Sequence, residues 1–304
     1  MPDSIYLGVV KSIRTRTTWY RCVQHLGTGG NAVTYLVFAT SGEKKGTLYA
    51  LKIFRKLSAQ ERRDAFLAEI NFLNDCDHPA IMRAYDSGIY KDNEGAEFPF
   101  VVAEYLPETL YDLIRRNQAS VPQKISYILQ LLSALKYLSA LATPVVHRDI
   151  KPQNIFIKGG SCVLGDFGLM KRLDGNVEVD REIFKESIGP GMPFFYRTPN
   201  LIAYANNEAE LSVKSDIFQL GLVATELFTG RNPAIRNDNH LAPLELENIR
   251  TVPGGLGLKI RNILERMLYF NWDNIEEADA LMDHWQGLFE TSIKRAHSLN
   301  GKVY

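Results

Sequence analysis

The hydrophobic pattern of this chain changes period about a third of the way along. Up to about residue 106, short apolar runs alternate with turns. Residues 20–27, 32–40 and 48–54 read as strands, the first two joined by the Gly-rich turn Gly27-Thr28-Gly29-Gly30-Asn31. Residues 58–76 carry Ala65, Phe66, Ile70 and Leu73 at helical spacing, with Ser58 as N-cap and Glu61 three residues on. Residues 81–90 and 98–106 complete a small antiparallel sheet. From about residue 107 the period is helical, in 123–142, 215–230, 258–270 and 276–299, and strand signals survive only within 154–166. The pattern predicts an α+β, bilobal chain: an N-terminal extension over 1–18, a β-rich lobe over 19–105 and a larger helical lobe over 106–304. The apolar run in residues 5–10 would add a strand or pack on the small lobe.

The chain has 304 residues, 45% hydrophobic and 23% charged, enough to bury a sizeable core. Lys+Arg and Asp+Glu each number 35, so no net field favours nucleic acid or an anionic membrane, and neither is expected as a partner. Cys22, Cys76 and Cys162 are an odd number without metal-ligand spacing, which suits a reducing, cytoplasmic setting. The N-terminus lacks the signature of a signal peptide. The longest apolar runs are about half of the roughly 20 residues a spanning helix needs. Oligomeric state does not follow from the sequence.

Several residues carry chemistry. Glycines 27 and 29 sit where strands turn tightly and backbone N–H groups can approach a polyphosphate. Lys52 lies inside an apolar strand, where an unpaired ammonium is costly, and Glu69 shares a helix face with Phe66, Ile70 and Leu73. Taken alone, the turn is equally well a plain hairpin, and the lysine a snorkelling side chain beside a surface glutamate. More specific is Val146-His147-Arg148-Asp149-Ile150-Lys151-Pro152-Gln153-Asn154, an acid, a lysine and an amide in one short loop. About a dozen residues later comes Gly165-Asp166-Phe167-Gly168. A strand hairpin between the two can bring Asn154 and Asp166 to one divalent ion, with oxygen ligands that suit Mg²⁺.

In this order and at these separations, these motifs resemble the eukaryotic-type (Hanks-type) Ser/Thr protein kinases, over about residues 19–290. The resemblance implies a bilobal kinase fold with ATP and Mg²⁺ between the lobes and protein substrates that receive phosphate on Ser or Thr. It implies that Leu26, Gly27 and Gly29 cover the phosphates, and that Lys52 holds the α and β phosphates while paired with Glu69. Asp149 would orient the substrate hydroxyl and accept its proton, Lys151 would steady the γ-phosphate, and Asn154 and Asp166 would bind Mg²⁺. Ala50 and Phe156 would sandwich adenine, Glu104 and Leu106 would bond it by main chain, and Ala103 would line a rear pocket. His147 and Phe167, with Leu73 and Ala84, match the buried spine of the family, and Asp216 matches a helix aspartate that braces the catalytic loop. Lys151, two residues after the acid, is the Ser/Thr-type residue.

The chain also departs from the family pattern. The third loop glycine is Ala32, and the valine that packs on adenine is Thr34, which implies weakened ATP binding. Ala103 replaces a bulkier residue, so the rear pocket is expected to be open. Thr198-Pro199-Asn200 stands for Ala-Pro-Glu, and the matching Arg position falls near Ile275, so an ion pair is lost as a unit. Losing one partner alone would strand a buried charge at about 3–5 kcal/mol. The hydroxyls between Asp166 and Asn200 are Ser187, Tyr196 and Thr198, with Ser187 the candidate phosphosite that Arg148 would grip. The alternative is constitutive order, with Glu178, Asp180, Glu182 and Glu186 standing in for phosphate. Residues 190–195 depart too far for peptide specificity to be carried over. The rival readings are a catalytically impaired pseudokinase or nucleotide-binding scaffold, a small-molecule kinase of related fold, and an interaction module. A pseudokinase is marked by loss of the strand Lys, the loop Asp or the Asp of Asp-Phe-Gly, and all three are present here.

Overall fold

The computed structural model describes residues 11–56, 60–173, 177–188, 194–237, 239 and 241–300, the side chains of 179, 186–188, 194 and 296–300 excepted. Ser58 and the apolar run at 5–10, both singled out from sequence, lie outside the described residues. The chain divides into two compact units, one running to Asp77 and resuming at Ile81–Pro107, the other made of His78–Ala80 and the chain from Glu108 onward.

The first unit is built on β1 (Ser12–Arg14), β2 (Trp19–Thr28), β3 (Ala32–Ala39), β4 (Leu48–Phe54), helix α1 (Gln60–Asp75), β5 (Ala84–Lys91) and β6 (Glu97–Glu104). The six strands form one sheet in the order β1-β2-β3-β4-β6-β5, every neighbouring pair antiparallel. Period-two alternation decides which side chains meet. Phe98, Phe100 and Val102 of β6 pack on one face with Leu51 and Ile53 of β4 and Val33, Tyr35 and Val37 of β3. Val101 and Phe54 point the other way, to Phe66 and Ile70 of α1. The chain ahead of the first predicted strand adds β1 at the sheet edge, where Ile13 pairs with Tyr20 and is buried.

The second unit contains α2 (Leu110–Arg116), α3 (Val121–Ser139), β7 (Val145–Val146), β8 (Ile155–Lys158), β9 (Ser161–Leu164), β10 (Lys171–Arg172), α4 (Val177–Ile188), α5 (Pro199–Ala205), α6 (Lys214–Thr229), α7 (Gly257–Met267) and α8 (Ala278–Asn300). Helix α3 buries Ile125, Ile128, Leu132 and Leu135, a stripe at helical spacing, and packs on α6, α8 and β9. Helix α6 is buried on nearly every side from Ser215 to Phe228, and its sequence there is mostly apolar, with Ser215, Asp216, Gln219 and Thr225 as buried polar residues. Gly221 lets α7 approach it closely, since a Cβ there would stand 2.9 Å from Met267 Cβ. Helix α4 has no counterpart in the sequence reading. Among its described side chains, Phe184 and Val177 join an apolar cluster with Val146, Leu201, Tyr204 and Leu211, too few positions for a periodicity to stand out. Among the described residues, no helix is long and apolar enough to cross a membrane.

Candidate active site

In the first unit, Lys52 on β4 and Glu69 on α1 meet. Lys52 Nζ donates to Glu69 Oε1 at 2.7 Å, and the glutamate is 1% exposed. The helix stripe of Phe66, Ile70 and Leu73 buries this face of α1, so Glu69 on the same face is carried inward to the ammonium. The cost of burying the carboxylate is offset by the charge-assisted bond from the ammonium, whose own side chain is partly exposed. Lys52 also lies across from Thr34 in the ladder, and Thr34 from Gly27, which aligns the Gly-rich turn with the lysine strand.

The glycines of that turn call for a correction. None of Gly27, Gly29 and Gly30 has positive φ, and a Cβ would meet nothing within 4 Å at Gly27 and Gly30, and only Ala32 O at 3.7 Å at Gly29. Backbone strain does not demand glycine here; what glycine provides is bare backbone and room beside it. Ala32, in place of the third glycine, is 6% exposed and its methyl joins the cluster of Phe54, Phe66, Ile70 and Val101, so the substitution contributes to packing. Ala50 pairs with Ala103 between β4 and β6, and Glu104, the last residue of β6, donates its N–H to Arg83 O. Leu26 is exposed and Leu106 half-buried, both within the first unit. Phe156, half-buried in β8, belongs to the second unit, where it bridges Thr109.

In the second unit, the loop that carries the expected catalytic residues runs from β7 to β8. Asp149 is buried and held on both carboxylate oxygens. Lys151 Nζ donates to Oδ1 at 3.0 Å and to Oδ2 at 2.8 Å, and Asn154 Nδ2 donates to Oδ2 and to the Asp149 carbonyl, each at 2.9 Å. With its amide nitrogen committed to Asp149, Asn154 has its amide oxygen left to offer, a hard donor of the kind Mg²⁺ takes. The β8–β9 hairpin pairs Ile155 with Leu164, and Gly165 N donates to Asn154 O at 2.9 Å, which brings Asp166 beside Asn154. Asp166 is exposed, in left-handed backbone at φ 57°. Burial pushes the Asp149 carboxyl up to about 6; Lys151 opposes, the charge of Asp166 adds, and Asn154 opposes.

The loop is braced from within. Asp149 N donates to His147 Nδ1 at 3.2 Å, so that nitrogen is the acceptor and Nε2 carries the proton toward Gly165 O at 3.1 Å. The His147 and Phe167 rings stand 4.5 Å apart. Asp216 on α6 accepts the His147 N–H at 2.7 Å and the Arg148 N–H at 2.9 Å. Arg148, itself left-handed at φ 67°, grips Asp180 of α4 with both terminal nitrogens, at 2.7 and 3.1 Å. Phe184 packs under the guanidinium at 4.6 Å, and the Tyr204 hydroxyl donates to Asp180 Oδ2 at 2.7 Å. Among the described side chains of the acids named from sequence, Asp180 is the one that fills the arginine's fork. Ser187 falls in α4, but its side chain lies outside the described residues; Tyr196 and Thr198 are buried.

The altered end of the activation segment is resolved by neutral bonds. Asn200 is 1% exposed. Its oxygen accepts from Ser212 N and Ser215 Oγ, and its nitrogen donates to Glu210 O. Ile275 is buried as well.

These two arrangements, a strand lysine on a helix glutamate in the first unit and, in the second, an acid clamped by lysine and amide with another acid across a hairpin, accompany a match along most of the chain. The sequence pattern described as "Protein kinase domain" covers residues 20–283.

The chain belongs to the protein kinase domain family.

Its relatives are named protein kinases. The carbon catabolite-derepressing protein kinase of Candida glabrata is 28% identical over 279 residues, 88% of this chain and 41% of that protein. The Bifidobacterium longum protein named "Probable serine/threonine-protein kinase PknB" is 32% identical over 225 residues, covering 70% and 30%. The human serine/threonine-protein kinase tousled-like 2 is 26% identical over 233 residues, covering 72% and 29%. The kinase chain thus spans less than half the length of each of these relatives. Two contributions to the site escape the motif reading: the helical form of α4 and a glutamine on α6. The glutamine had a signal, a long polar side chain in the middle of a mostly apolar helix.

Proposed function

We propose that this kinase domain binds ATP with Mg²⁺ and transfers the γ-phosphoryl group to Ser or Thr hydroxyls of protein substrates, in the cytoplasm. The observation that carries the reading is the Asp149 carboxylate, buried and held by Lys151 on both oxygens, with Asn154 on one of them and Asp166 across the hairpin. In this reading Asp149 aligns the substrate hydroxyl and receives its proton, and Lys151 lies ready to meet the negative charge of the transferred group. Asn154 and Asp166 are the oxygen donors for Mg²⁺, which when bound neutralises charge on the phosphates. Lys52, fixed by Glu69, supplies a positioned cation for the nucleotide. Ser/Thr specificity is supported by Lys151 two residues beyond the acid and by the names of the relatives. The odd number of cysteines, Cys22, Cys76 and Cys162, suits a reducing compartment.

The test is transfer of label from γ-labelled ATP with Mg²⁺ to a generic protein substrate, by the unvaried chain and by Asp149→Asn and Asp166→Asn. Labelled phosphoserine or phosphothreonine that both substitutions reduce by about a thousandfold supports the assignment. Transfer undiminished by Asp149→Asn would refute it.

A further inference from the structure

Helix α6 presents two polar side chains to the catalytic loop, and the kinase motifs account for only one of them. Three residues after Asp216, and so on the same helix face, stands Gln219, 0% exposed in a helix whose other core-facing residues are nearly all apolar. Burying a primary amide is costly unless every one of its groups is met. Here they are. Gln219 Oε1 accepts the Ile150 N–H at 2.9 Å, while Nε2 donates to Arg148 O at 3.0 Å and to Tyr196 O at 2.7 Å.

The side-chain amide is the group that fits this place, because it alone among the uncharged side chains of that length offers one acceptor and two donors to one N–H and two carbonyls. Its bonds to Arg148 O and Ile150 N fall on the two residues that flank Asp149. Together with Asp216 and His147 they complete a set in which the N–H groups of residues 147 to 150 all go to side chains. The third bond reaches Tyr196, just before Thr198 and α5, so one amide holds both the acid's loop and the end of the activation segment.

We infer that Gln219 is a positioning residue for phosphoryl transfer, fixing the backbone on both sides of Asp149 and tying it to the segment at Tyr196. The inference rests on the assignment of Asp149 as the group that receives the hydroxyl proton. Gln219 touches no reacting atom. Its effect is expected in the chemical step, where misplacement of a reacting group by about 1 Å costs on the order of a hundredfold.

The experiment compares the unvaried chain with Gln219→Met, which keeps the length and removes all three bonds, and Gln219→Glu, which keeps the acceptor for Ile150 and leaves at most one donor, when protonated, for the two carbonyls. Turnover, affinity for a non-hydrolysable ATP analogue, thermal unfolding and amide exchange at Ile150 are measured on each. The expected result is a kcat lower by about ten- to a hundredfold in both, with analogue affinity within about twofold of the unvaried chain. Exchange at Ile150 should speed up in Gln219→Met and stay slow in Gln219→Glu. Full turnover in both variants, or a fall in turnover matched by an equal loss of analogue affinity, would overturn the inference. Should neither variant fold, the unvaried chain decides, since an Ile150 amide exchanging as fast as exposed loop contradicts the bond and a protected one supports it. Asp149→Asn run alongside separates the two readings. An inactive Asp149→Asn beside fully active Gln219 variants removes only the positioning role, whereas an active Asp149→Asn removes the functional assignment itself.

Discussion

At Asp216 two tendencies oppose each other. Two backbone N–H donors favour its charged form, while complete burial disfavours any charge, and burial prevails, pushing the carboxyl up to about 7. The ordinary value is 3.8. Between these values the folded chain holds a proton that the unfolded chain has released. The contribution of Asp216 to stability is therefore full below about pH 4 and is lost as pH rises toward 7. Urea unfolding of the unvaried chain and of Asp216→Asn at pH 5 and pH 8 checks this. The stability difference should move in favour of the variant at the higher pH, and an unchanged difference would contradict it. Asn200 shows the other way to place a polar group inside, with neutral partners for both its oxygen and its nitrogen, so the glutamate that a motif match would demand there is not needed.

At the scale of elements, α4 is where motif reading ends and packing takes over. Helix α4 carries Glu178 and Asp180 in its first turn, where the helix dipole favours negative charge, and it lays Asp180 into the fork of Arg148. Breaking a pair this buried costs about 3 kcal/mol or more, because an arginine side chain 5% exposed would lose its counter-charge. Asp180→Asn is accordingly expected to lower kcat by about tenfold or more, while Ser187→Ala leaves it within about twofold. Turnover of each variant as purified, and of the unvaried chain before and after phosphatase treatment, provides the comparison. A Ser187→Ala chain as impaired as Asp180→Asn would show that phosphate, and not the built-in carboxylate, orders this segment.

At the scale of the whole molecule, a ligand that binds only the folded chain stabilises it by mass action. Mg²⁺ and ATP at about a hundred times the dissociation constant should add about 2.7 kcal/mol. Thermal unfolding should rise accordingly, and the rise should shrink on chelation of the metal or in Asp166→Asn. An equal rise without metal would argue against Asp166 and Asn154 as its ligands. Much of this protein was open to reading from the chain alone, because local rules determine it. Period-two and helical patterns place the sheet, α1, α3, α6 and α8, and the spacing of His147 to Asn154 against Asp166 marks the loop and hairpin. Lys52 and Glu69 pair because a buried charge in an apolar strand requires a partner. What the tertiary structure alone decided are matters of three-dimensional company: which of four acids meets Arg148, why Ala32 replaces a glycine, why Asn200 needs no arginine, and where the Gln219 amide spends its three bonds. Each depends on which groups distant in sequence are left with unmet donors, acceptors or apolar surface once the chain has folded, and a linear pattern does not record that.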